Sequence, residues 1–223
     1  MNLVHSPWLA RWFGSDVRCR FEHVEGRFAL TFDDGPSPTA TPRLLDVLAR
    51  HGASATFFVL EPHARRHAAI VRRAHEAGHE LGVHARDHLP PALMPRALLR
   101  RQIEETAGAI EDACGERAVS YRAPFGMLRR SQARWVRSLG YFPVLGDVYP
   151  EDPHVNDAAR IAGETLRRLR AGSIVILHDA SVFGDASRSP TLEAVDLILD
   201  AAARMGLRAV SVRELREAPG PAG

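Results

Sequence analysis

At 223 residues, with 45% hydrophobic and 25% charged side chains and a formal net charge of +2, the chain has the profile of a single globular core and excludes a disordered or collagen-like protein. It has no lysine, and its arginines fall in scattered pairs such as Arg65-Arg66, Arg72-Arg73 and Arg100-Arg101, which read as solvated helix faces rather than a nucleic-acid stripe. Cys19 and Cys114 supply neither a disulfide framework nor a thiolate metal site, and no apolar run reaches the length of a membrane span.

Residues 1–26 form an N-terminal segment containing Trp8, Trp12 and Phe13, with no basic start followed by an apolar stretch. The sequence as written is therefore expected in the cytoplasm, export requiring a signal upstream of it. Trp8 and Trp12 suit an interface, a lid or a packed cap equally well. Residues 19–25 alternate weakly, as a short strand would.

A βα rhythm then begins. Phe28-Ala29-Leu30-Thr31-Phe32 is a buried-strand run that ends in Asp33-Asp34 and the turn Gly35-Pro36. Thr41-Pro42 reads as an N-cap and first helical residue, opening a helix that stops at Gly52. Residues 54–60 are the second strand, Pro62 opens a helix ending at Gly78, and residues 79–84 are the third strand. Residues 97–113 are a long amphipathic helix, 119–122 a strand, 131–139 a helix and 141–145 a strand. Asn156 is placed to cap a helix over 158–169, residues 173–177 are the sixth strand, 191–205 a helix and 207–210 the last strand.

Seven strands alternating with helices predict parallel pairing, in an open doubly wound sheet or a closed barrel. No glycine-rich fingerprint follows the first strand, which argues against dinucleotide binding. Polar residues cluster directly after strands, at Asp33-Asp34, His84, Arg122, 147–152 and His178-Asp179. Loops converge at that edge of a barrel, so the clustering favours a barrel site.

Several of these residues suit metal-binding and acid–base chemistry. His84 and His88, four apart, share one side of a helical turn, and with a carboxylate from Asp33 or Asp34 they make a sound divalent-metal set. A rival match to the zinc-protease signature, His75-Glu76-Ala77-Gly78-His79, needs one helix through both histidines, and Gly78 is better placed to end it. Arg122, before Ala123-Pro124-Phe125-Gly126, can hold a carboxylate in its planar fork, and turn amides beyond it can serve an oxyanion. His178, ending a buried strand, suits general acid–base work, with Asp147, Glu151 and Asp152 as possible partners.

Taken in order, these segments resemble the polysaccharide deacetylase (NodB-homology) domain, carbohydrate esterase family 4. Residues 31–36 are similar to its TFDDGP motif, 84–88 to its H-S/T-x-x-H motif, 122–125 to its R-x-P-Y/F motif, 147–152 to its acidic fourth motif and 176–178 to its L-x-H. The resemblance runs from about Arg27 to Leu215, which bounds a catalytic domain at 27–217 and leaves 218–223 as a tail. It implies a distorted (β/α) barrel of about seven parallel strands in one α/β domain. It also implies that Asp34, His84 and His88 bind a divalent metal, Zn²⁺ first and Co²⁺ or another ion next.

Asp33 would be the general base held by Arg122, and His178 the general acid tuned by Asp152. Pro124, Phe125, Gly126 and Leu177 would meet the substrate, with the Phe125 N–H serving the oxyanion. The implied reaction is removal of N-acetyl groups from an amino sugar or N-acetylated glycan. Hydrolysis of another non-peptide C–N bond, as in a small or cyclic amide, and a non-catalytic carbohydrate-binding relative are the alternatives. No nucleic-acid or membrane partner is expected. Three positions depart from the family pattern: Ala85 lacks the usual hydroxyl, Gly146 replaces an aromatic before the fourth motif, and Pro153 replaces a tryptophan after it. The last two thin the aromatic lining for a sugar ring.

Overall fold

The computed structural model describes residues 16–22, 24–182 and 188–218, so Trp8, Trp12, Phe13 and the tail beyond 218 lie outside the described residues. Its centre is β1 (Arg27–Asp33), which pairs in parallel with β2 (Thr56–Leu60), β6 (Ile174–His178) and, at its start, β7 (Arg208–Val210). Beyond β2 come β3 (Glu80–Ala85), β4 (Ser120–Tyr121) and β5 (Phe142–Pro143), giving the order β5-β4-β3-β2-β1-β6. Six of the seven β1 residues are buried, as expected of a parallel strand covered on both faces.

The circle closes without a continuous ladder. Past β5 the chain runs to Val148, which makes a parallel bridge to Val175 of β6, while Arg18 bridges Val144. The result is a distorted barrel in one domain, and the expected strand over 19–25 is replaced by the Arg18 bridge. Phe32 of β1 and Phe57 of β2 stack at 5.2 Å in the main core.

The helices are α1 (Ala40–Arg50), α2 (Glu61–Arg66), α3 (Ala68–Glu76), α4 (Arg96–Cys114), α5 (Arg130–Ser138), α6 (Ala158–Arg168), α7 (Ser189–Arg204) and α8 (Val212–Glu217). Two caps differ from expectation. The α1 helix starts at Ala40, and the Thr41 hydroxyl accepts from Ser37 N–H and donates to Asp179, 138 residues away. Asp157 caps α6 in place of Asn156, by accepting from Arg160 N–H. The helix expected from Pro62 to Gly78 is two helices, broken at His67 where φ is −122° and ψ 39°. No helix of the described residues is long and apolar enough to cross a membrane.

Candidate active site and metal centre

Strand ends deliver the chemistry to one rim. Asp33 and His178 are direct neighbours in the β1–β6 register, and His84 is the next-to-last residue of β3. Asp34 has φ of +73°, which turns its carboxylate away from Asp33 and lets the two adjacent charges find separate partners. His88 (φ +45°) and Phe125 (φ +59°) are likewise left-handed. Such backbone costs about 1–3 kcal/mol per residue and persists only where the surroundings hold it.

Asp34, His84 and His88 converge, with ligand atoms within 4.8 Å of one another. The Nε2 atoms of His84 and His88 stand 3.4 and 3.3 Å from Asp34 Oδ1. That oxygen is buried and makes no hydrogen bond among the described residues. Two ligands each about 2.1 Å from a shared tetrahedral ion lie about 3.4 Å apart, so the spacing suits a common cation better than a hydrogen bond. His84 Nδ1–H donates to the Arg122 carbonyl at 2.9 Å, which leaves Nε2 with its lone pair. Burial and the neighbouring His84 charge push the His88 imidazole down, toward the neutral form a ligand needs. Burial alone would raise Asp34, but the adjacent His84 imidazole, followed by the His178 and His88 charges, holds it at about 2. The residues present thus fit a divalent metal.

The geometry differs from one helical turn. His84 belongs to a strand and His88 to the loop beyond it, so a strand end and a left-handed residue bring the imidazole centroids to 5.1 Å. The rival pair does not assemble: α3 ends at Glu76, His75 faces Glu116 at 3.3 Å, and His79 is buried at the start of β3.

Arg122, 1% exposed, donates through Nη1 to Asp33 Oδ1 at 2.8 Å and Thr31 Oγ1 at 2.6 Å, and through Nη2 to the Leu145 carbonyl at 2.8 Å. Its guanidinium lies 4.2 Å over the Phe58 ring. Asp33 Oδ1 is therefore occupied, and among the described residues nothing donates to Oδ2. His178 Nδ1–H donates to Asp152 Oδ1 at 2.9 Å, and Asp152 Oδ2 accepts from His178 N–H and Thr191 Oγ1, each at 3.0 Å. Burial alone would lower the His178 imidazole; the Asp152 charge and hydrogen bond, followed by the Asp34 and Asp33 charges, push it up to about 9.

Of the expected substrate contacts, Phe125 is 54% exposed and its ring packs edge-on against His88 at 4.6 Å, while Gly126 is half-buried. Leu177 and Pro124 are buried. The turn's own bonds run from Gly126 N–H to Ala123 and Met127 N–H to Pro124, leaving the Phe125 amide outside them. Tyr149, not singled out from sequence, lies edge-on to His178 at 5.9 Å. Gly146 is glycine for lack of room: a Cβ there would stand 2.6 Å from Ile176 and 2.7 Å from the Ile174 carbonyl.

Asp179 and Gly35 lock the Asp33-Asp34 loop from behind. A Cβ on Gly35 would overlap the buried Asp179 carboxylate, which burial chiefly pushes up to about 7. Gly35 C=O accepts from Leu60 N–H at 3.0 Å, and His63 Nδ1–H donates to the Asp34 carbonyl at 2.8 Å. Gly35→Ala is expected to cost about 1–3 kcal/mol by overpacking, and each kcal/mol lowers Tm by about 2–4 °C in a domain of this size. A thermal melt checks it, and an unchanged Tm would contradict the close packing.

The family model described as polysaccharide deacetylase matches residues 22–144. A chitooligosaccharide deacetylase of Sinorhizobium fredii is 38% identical over 151 residues, which cover 67% of this chain and 70% of the relative. One from Azorhizobium caulinodans is 33% identical over 192 residues, or 82% of this chain and 90% of the relative. A solved structure of a peptidoglycan N-acetylglucosamine deacetylase matches with a TM-score of 0.86 at 26% identity, covering 96% of this chain and 97% of the other. The chain belongs to the polysaccharide deacetylase family.

Proposed function

We propose that the chain is a metal-dependent hydrolase that removes N-acetyl groups from an amino sugar or N-acetylated glycan. The observation that carries the reading is the orphaned, buried Asp34 Oδ1 facing two imidazole nitrogens, with the Asp33–Arg122 and His178–Asp152 pairs on the same rim. Asp34, His84 and His88 would hold the ion, for which the mixed nitrogen and oxygen donors suit Zn²⁺. When bound, such an ion polarises the amide carbonyl and lowers the pKa of a water from about 16 toward about 7.

The chain's own groups do the rest. Asp33 Oδ2 accepts the proton of the attacking water while Arg122 fixes the carboxylate through Oδ1. The Phe125 N–H donates to the carbonyl oxygen as it gains negative charge. His178, its Nδ1–H held by Asp152, donates from Nε2 to the departing nitrogen as the C–N bond breaks. Acetate and a free amine leave, and the proton taken by Asp33 balances the one given by His178. Relatives named as deacetylases of chitooligosaccharides and of peptidoglycan N-acetylglucosamine favour this substrate class over a small or cyclic amide.

Acetate release from chitooligosaccharides, measured before and after chelation, tests the reading. Activity should vanish on chelation and return with added Zn²⁺. Release that survives complete metal removal would overturn it.

A further inference from the structure

His88 is a metal ligand held in left-handed backbone on a loop, so something must keep that loop from relaxing. Ala85, the last residue of β3, offers no hydroxyl to do so. The brace comes instead from α4. Gln102 is 3% exposed, and its Oε1 accepts from both Arg86 N–H and Asp87 N–H at 2.9 Å. Its Nε2 donates to Asp87 Oδ2 at 2.7 Å. One side chain therefore ties three groups of the two residues immediately before His88. Its helix is anchored independently, with Leu99, Ile103 and Thr106 buried around it.

We propose that Gln102 is a positioning residue for the metal centre, setting divalent-ion affinity through the His84–His88 loop without touching the ion. The proposal rests on the assignment of Asp34, His84 and His88 as ligands. Arg86 is half-buried and Asp87 exposed, so the segment the clamp ties lies at the surface and can move when the clamp is removed. The fold then survives, but His88 no longer arrives preorganised. An outer partner of this kind typically governs 10- to 100-fold in metal affinity.

The test is Zn²⁺ affinity by competition with a chromogenic chelator, read beside a thermal melt of the metal-free protein. Gln102→Leu should weaken Zn²⁺ binding by roughly 10- to 100-fold. Gln102→Glu should also weaken it, because the new carboxylate faces Asp87. Adding Asp87→Asn to Gln102→Glu should restore affinity to within a few-fold. In that double variant the introduced carboxylate accepts from both backbone amides and from the introduced side-chain amide, so the third bond survives with donor and acceptor exchanged. Should Gln102→Leu fail to fold, Gln102→Glu with and without Asp87→Asn carries the same comparison.

Wild-type affinity in Gln102→Leu or Gln102→Glu, or no recovery in the double variant, overturns the clamp. A wild-type chain that binds no divalent ion overturns the ligand assignment, and the clamp with it. A wild-type chain that binds Zn²⁺ but releases no acetate overturns the deacetylase reading and leaves the clamp tested on affinity alone.

Discussion

Asp33→Asn should reduce kcat by at least about 10²–10⁴-fold, the range associated with removing a positioned proton-transfer group, while the protein still binds its divalent ion. Asparagine keeps an oxygen for Arg122 Nη1 and nearly the same volume, so the Arg122–Thr31–Leu145 arrangement survives. What disappears is the basic oxygen and the counter-charge to a buried guanidinium. Loss of that counter-charge should lower Tm, since an uncompensated buried charge is costly. The measurement is therefore threefold: kcat at saturating substrate, metal content, and a melt showing that the variant is folded at the assay temperature. Wild-type turnover in a folded, metal-loaded variant would remove Asp33 from its role. A folded variant that has lost its metal would instead place Asp33 among the ligands, a reading the Arg122 hydrogen bond opposes.

Much of the rim was legible because the chemistry sits where strand runs stop. The apolar run ending at Asp33-Asp34 and the run ending at His178 are long, buried strands whose limits are marked by a change in residue type. The fourth and fifth strands, expected over 119–122 and 141–145, form but prove shorter, at Ser120–Tyr121 and Phe142–Pro143. Two residues each carry no alternation, and closure depends on the Val148–Val175 and Arg18–Val144 bridges, which join distant residues through backbone groups common to all side chains. The left-handed Asp34, His88 and Phe125 were invisible for the opposite reason: side chains usually avoid that conformation, and the surrounding fold imposes it.

Partner choice followed the same division. The Thr41 hydroxyl reads locally as a helix cap but goes to Asp179, and Thr191 completes Asp152 from α7; both are contacts across more than 35 residues. Asn156 and Asp157 are equally good caps by type, and only the position of Arg160 N–H decides between them. The α8 helix was detectable: Ser211 and Glu214 are spaced as a capping box, and both reciprocal bonds form. Gln102 was not detectable, since a polar residue on an amphipathic helix normally faces water.

Asp152→Asn should change the pH profile as well as the rate, and the sign follows from what raises His178. In the native site the imidazole is pushed up to about 9, so the acid is protonated through neutrality, and kcat/KM should fall as pH rises through that value. The Asp152 charge and hydrogen bond rank ahead of the Asp34 and Asp33 contributions, so a cation that offsets Asp34 leaves Asp152 as the main control. The substituted asparagine can still accept the Nδ1–H bond, preserving the tautomer, but it carries no charge to offset burial, which favours neutral imidazole. The alkaline limb should therefore move down to about the ordinary histidine value of 6.5 or below it. A group moved from about 9 to about 6.5 is protonated roughly thirtyfold less at pH 8, so activity there should fall by at least that factor and recover in part near pH 6. The pH dependence of kcat/KM for both proteins decides the matter. A limb that stays at its wild-type position in Asp152→Asn would assign it to a group other than His178, and an equal loss at every pH would make Asp152 a structural support that does not tune the acid.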